Sequence, residues 1–195
     1  MCEGEPIGRV KNGQLLEVHK FCALAGSFPA LANLPSAGSR ESLAAKLAPA
    51  LRTVGGEVCM NAAQRLENLH RDGRPISLHL RRAGLNMSGA LMIARALQSL
   101  SASEAALLRS FSVSYNPDME DGGAIALAQS MPGNIRDVGL VGCGLSDAGG
   151  AALLEWANSA VGLQMICVEE NRFSDQLRKQ FVLLREENSN LVVFV

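Results

Sequence analysis

Apolar residues recur in one frame along the C-terminal three-fifths of the chain. From Leu163 the segment LQMICVEENRF places Leu163, Ile166 and Val168 at its first, fourth and sixth positions. Asn171 is ninth and Phe173 eleventh. The frame returns from Ile135 with Val138, Leu140, Cys143 and Leu145, and from Leu108 with Phe111, Val113 and Asn116. Leading positions Leu108 and Ile135 are 27 residues apart, and Ile135 and Leu163 are 28 apart. Another 28 residues reach Leu191, so LVVFV reads as a truncated fifth strand with Phe194 in the fourth position. Alternation within each frame predicts a short strand. A weaker copy lies at Ile76–Leu80, with Leu78 and Leu80 central, Ala83 at the Asn/Cys position and Leu85 after it. Pro75 falls in its leading position, where a strand start tolerates a residue without an N–H. Ala83 and Asn116 are 33 residues apart, and the excess, in Leu97–Glu104, is expected to be an extended loop.

Helices are predicted between the strands. Gly89, Gly123 and Gly149 stand four residues past Leu85, Met119 and Leu145, and Ile93, Leu127 and Leu153 follow four further on. Ser88, Asp121 and Ser146 are the candidate N-caps. Gly122–Leu127 and Gly149–Leu154 are the same small-residue helix written twice, suited to close approach of neighbours. The fourth helix, expected over Asp175–Glu187, carries Leu177 and Phe181 instead and should cover the end of the core.

Upstream the pattern is less regular. Asn12-Gly13 predicts a hairpin turn between Ile7–Val10 and Leu15–Val18, while a helix over Leu15–Ala25 competes for the same residues. Ser27–Ser39 holds Pro29, Pro35 and Gly38 and reads as irregular. A helix then starts from Ser39 or Ser42 as N-cap, with Leu43, Leu47 and Leu51 on one face. Pro49 is expected to kink or shorten it, and Gly55-Gly56 to end it. A second helix is predicted over Val58–Arg71, with Ala62, Leu66 and Leu69 inward, before a turn at Asp72–Pro75.

The frame L-x-x-L-x-L-x-x-N/C-x-L, with a full helix after each strand, resembles the ribonuclease-inhibitor-like subtype of leucine-rich repeats. The resemblance covers residues 76–195. It implies an α/β solenoid, with a curved parallel sheet on the concave face and helices outside. Residues 1–72 then form an N-terminal extension and mostly helical cap, and residues 73–195 about four repeats plus a truncated strand. It also implies that Asn116, Cys143 and Asn171 bond to loop backbone and do not form a site.

Composition changes the picture little. The 195 residues carry a net charge of −1, which gives no basic signature for nucleic acid. No apolar run approaches the roughly 18 residues of a membrane span. The opening MCEGEPIGRVKNG has no basic region followed by an apolar run, so no secretory signal is expected. Five scattered cysteines without a CxxC pair fit a reduced, cytoplasmic chain. His19 and Cys22 lack a second ligand pair for zinc. No phosphate-cradling glycine motif is present, and no cofactor is expected.

Strand side chains alternate, so the residues between core positions share one face. That face reads Ser77, His79, Arg81 and Arg82, then Ser110, Ser112, Ser114 and Tyr115. Asp137, Gly139, Val141 and Gly142 follow, then Met165, Cys167, Glu169 and Glu170. It runs from basic through small and polar to acidic. Contact with a protein partner is assigned to His79, Arg81, Arg82, Ser112, Ser114, Tyr115, Asp137, Glu169 and Glu170. His79 and Ser112 are close enough to meet. A hydrolytic triad is disfavoured, because Ser112 lies between His79 and Asp137 whereas a triad needs the histidine between the other two. The expected function is a non-catalytic protein-interaction module. Ran GTPase-activating proteins look similar in repeat subtype, so a regulatory role is the alternative, although their functional residues do not match positions here. A repeat segment of the immune-receptor or effector type is a third reading.

Overall fold

Five short strands build one parallel sheet in the order β1-β2-β3-β4-β5. They are β1 (Ile76–His79), β2 (Leu108–Ser112), β3 (Asp137–Gly139), β4 (Met165–Cys167) and β5 (Val192–Phe194). The structure, a computed structural model, describes residues 37–68 and 75–195. The proposed hairpin or helix near the start, His19, Cys22, Leu69 and most of the Asp72–Pro75 turn lie outside the described residues. Leu78, Phe111, Val138, Ile166 and Val193 stand side by side in register, and all are buried.

Two strand registers differ from expectation. Ile76, not Pro75, takes the leading position beside Leu108, and the register shifts by one residue between Ile76 and Ser77. In β5 the core position belongs to Val193 (8% exposed), and Phe194 (45% exposed) points the other way. The turn before β5 sets this: Leu191 N donates to Asn188 O and Val192 N donates to Gln164 O, which starts pairing one residue early. A one-residue slip moves every side chain to the opposite face.

Parallel neighbours require a crossover, and helices supply it. The helices are α1 (Ala37–Val54), α2 (Gly56–Asn68), α3 (Met87–Gln98), α4 (Ala102–Ala105), α5 (Glu120–Ala128), α6 (Asp147–Ser159) and α7 (Asp175–Glu187). A 3₁₀ turn over Pro117–Met119 precedes α5. Helix α1 begins before both Ser39 and Ser42, so neither caps it, and the final residues of the expected irregular stretch are helical. Pro49 is accommodated on the exposed side without ending the helix. Gly55, at φ 78°, ends it. Leu43, Leu47 and Leu51 are buried as expected. α2 begins at Gly56, ahead of the expected Val58. Among the described residues no helix is long and apolar enough to cross a membrane.

Capping also differs. Asn86, not Ser88, caps α3, its side chain accepting from Gly89 N at 2.9 Å. Ser146 caps α6 as expected. Asp121 lies in the first turn of α5, and its carboxylate reaches forward to the next unit. It accepts from Ser146 N at 2.7 Å, from Gly149 N at 3.1 Å and from the Ser146 hydroxyl. Asp147 repeats the move and accepts from Ser174 N at 2.7 Å. These bonds from Ser174 hold the Asp147 carboxyl below its ordinary range.

The surplus residues between β1 and β2 are not an extended loop. They form α4, started by a capping box between Ser101 and Glu104. Glu104 is buried and pairs with Lys46 of α1 at 2.6 Å, while Lys46 Nζ also donates to Ser99 O at 2.9 Å. The insertion thus docks onto α1. Burial pushes the Glu104 carboxyl up, but bonds from Lys46, Ser42 and Ser101 outweigh it and hold it at about 2, against 4.5 ordinarily. A depressed carboxyl stabilises the fold above its unfolded pKa, and that stability drains away as pH falls toward the folded pKa. The urea midpoint is therefore expected to drop between about pH 4.5 and pH 2. Glu104→Gln should lower it at neutral pH and flatten this part of the acid limb. Parallel pH profiles for the two proteins would remove Glu104 from the account.

Candidate functional site

The three polar ladder residues serve the backbone. Asn116 accepts from Leu85 N at 3.0 Å and donates to Leu80 O and Val113 O at 2.9 and 2.6 Å. Asn171 accepts from Cys143 N and Leu145 N and donates to Leu140 O and Val168 O. Cys143 stands between them in the series, and its Sγ lies 3.2 Å from Val113 O. Burial pushes this thiol up to about 11. Burial, with the Glu169 and Asp137 charges behind it, also raises Cys167. Neither thiol is primed as a nucleophile.

The alternate strand residues do gather on one face. Ser77, His79, Arg81, Ser110, Ser112, Ser114, Asp137, Gly139, Val141, Met165 and Cys167 line one open groove of about 480 Å³. His79 and Ser112 are opposite in register, yet the imidazole bonds elsewhere. Its Nε2 lies 2.8 Å from the Ser110 Oγ. The Ser112 Oγ instead lies 3.2 Å from the Ser114 Oγ, which in turn accepts from Val141 N. Ser114 is largely buried and ties adjacent units together. A Cβ on Gly139 would come within 2.9 Å of the Ser112 Oγ, so the glycine leaves space for this pair.

Beyond the strand ends the ladder continues through the row that closes each repeat's line on the face read from the sequence. Arg82, Tyr115, Gly142 and Glu170 occupy equivalent positions, with φ of 54°, 62°, 59° and 57°. Left-handed backbone costs a residue bearing a Cβ roughly 1–2 kcal/mol. The row is nevertheless maintained by pairing: Arg82 N donates to Ser114 O, Tyr115 N to Val141 O, and Gly142 N to Glu169 O. Tyr115 lies across Gly142, where a Cβ would sit 3.2 Å from its ring. Its hydroxyl donates to Glu170 Oε1 at 3.1 Å. The guanidiniums of Arg81 and Arg82 lie 4.2 and 5.2 Å from the centroid of the same ring. Residues read from sequence as separate basic and acidic patches are thus joined through one tyrosine. Asp137 is half-buried on β3, and Glu169 is half-buried beside Glu170. The positive φ values have no local sequence signal, because arginine, tyrosine and glutamate do not favour them.

Among the described residues no cluster of three or more His, Cys, Asp or Glu side chains is arranged to hold a metal ion. No protein-family model matches the sequence, and no curated protein matches it either.

Proposed function

We propose that the chain is a leucine-rich repeat solenoid of the ribonuclease-inhibitor-like subtype that binds a protein partner on its concave sheet face, without catalysis. Residues 1–72 serve as extension and cap, and the protein works in the cytoplasm. The carrying observation is the single groove into which alternate residues of neighbouring strands converge, bordered by the Arg81–Arg82–Tyr115–Glu170 cluster. The regular ladder of Asn116, Cys143 and Asn171 supports the repeat assignment.

Aromatic and arginine side chains held in place before binding contribute most to interface energies. A partner isolated by affinity capture is to be titrated by calorimetry against two sets of variants. Tyr115→Ala, and Arg81→Glu with Arg82→Glu, should each weaken binding by more than about 1 kcal/mol. The Arg pair should show its largest effect at low salt, where charge steering is unscreened. Arg95→Ala and Gln129→Ala, both exposed on the helical side, should leave affinity unchanged. The opposite pattern would move the binding surface to the helices.

A further inference from the structure

We infer that Arg81 and Arg82, held against the Tyr115 ring, form a receptor for an oxyanion carried by an extended peptide on the groove. The oxyanion is a phosphate monoester or a carboxylate. The inference rests on the concave-face reading above and goes further, to the chemistry of the ligand.

Both guanidiniums lie within 5.2 Å of one ring centroid, so two like charges share one aromatic ring. Among the described residues neither makes an ion pair; the pairs present there are Lys46–Glu104 and Arg52–Glu67. The acid bound to the ring, Glu170, receives the Tyr115 hydroxyl and does not pair with either arginine. A guanidinium held over an aromatic ring, without an ion-pair partner, keeps N–H donors for a bidentate oxyanion. Tyr115 is the positioning residue. Its left-handed backbone, its bond to Glu170 and the missing Cβ at Gly142 fix the ring under the arginines. His79 shares the face of Arg81 two residues away, and the Ser77, Ser110 and Ser112 hydroxyls add polar lining. Neither Glu170 nor the groove-lining Asp137 forms an ion pair with Arg81 or Arg82, so the guanidinium donors remain open to an anionic ligand.

The far end of the face has different chemistry. Met165 stands beside Val192 and Cys167 beside Phe194, and Val192 and Phe194 are exposed. Neighbouring strands are about 4.8 Å apart, so the distance from β1 to β4 or β5 is roughly 14–19 Å. An extended chain covers about 3.3 Å per residue. The ligand should therefore carry an apolar side chain about four to six residues from its oxyanion.

The experiment uses the full chain and fluorescent peptide pools that place Phe or Leu four to six residues to either side of one fixed residue. That residue is phosphoserine, aspartate or serine in a polar, degenerate background, and binding is read by anisotropy. Wild type should bind the phosphoserine or aspartate pool at least tenfold more tightly than the serine pool. The stronger of the two identifies the source of the oxyanion. Inorganic phosphate should compete better than chloride at equal ionic strength. Arg81→Gln with Arg82→Gln should abolish the preference. Tyr115→Phe should keep it, because the ring remains, and Tyr115→Ala should lose it while the melting curve stays cooperative. A preference that survives the double arginine change overturns the inference. Equal binding of all three pools overturns it but leaves the concave-face reading standing. No binding by any pool also overturns it, and the titration with a captured partner then decides separately whether the concave face binds at all.

Discussion

Asn171→Ala is expected to destabilise the fold by more than about 3 kcal/mol, although it removes no large apolar group. The Asn171 amide is buried and serves both donors and acceptors. It accepts from Cys143 N at 3.0 Å and Leu145 N at 3.2 Å, and donates to Leu140 O at 2.8 Å and Val168 O at 2.9 Å. Truncation leaves these backbone groups without partners, and each buried orphan costs about 1–3 kcal/mol. Asn171→Asp should be at least as damaging, because it aims an acceptor at carbonyl oxygens. Asn171→Cys should be milder than alanine, since Cys143 fills the equivalent place and its thiol reaches Val113 O. Urea unfolding of the three variants checks this order. An alanine variant within about 0.5 kcal/mol of wild type would mean that water replaces the amide or that the loop relaxes.

Leu140→Ala should cost about 2–5 kcal/mol, from lost transfer free energy and the cavity left behind. Leu140 is fully buried between the sheet and its helices, and close packing leaves little freedom to collapse into the space. Val141, one residue on, borders the groove and is half-buried, so Val141→Ala should cost less than about 1 kcal/mol. The contrast between adjacent positions tests the strand register more sharply than either value alone. Similar urea midpoints for the two variants would contradict the alternation seen in the sheet.

Much of the strand and helix order was legible because the apolar spacing is itself the packing pattern. Phe111, Val138 and Ile166 occupy the core positions that the spacing assigns. Helix α7 has the expected limits, Asp175–Glu187, because Ser174 caps it and Leu177 and Phe181 mark its inner face. The misreadings involve partners remote in sequence. Asp121 looked like a cap for its own helix but braces residues more than twenty positions later. Glu104 helps start a turn whose docking partner, Lys46, belongs to α1. In β5 a difference of one residue in the preceding turn exchanged Val193 for Phe194. Alternation brought His79, Ser112, Asp137 and Arg81 correctly onto one face. It did not reveal that His79 selects Ser110, or that Tyr115 links Arg81 and Arg82 to Glu170.

The backward-reaching amide bonds of the ladder also give the fold a direction in time. Asn116 ties down Leu80 O and Leu85 N, and Asn171 ties down Leu140 O, Cys143 N and Leu145 N; in each case the binding residue comes later in the chain. On a ribosome, which releases the N-terminal end first, a strand and its loop can emerge whole and still lack the amide that closes them. That amide arrives a further 26–36 residues along. Until then the waiting loop depends on water for its hydrogen bonds. Each segment is completed by its successor, so a nascent chain carries its least settled part next to the most recently synthesised residues.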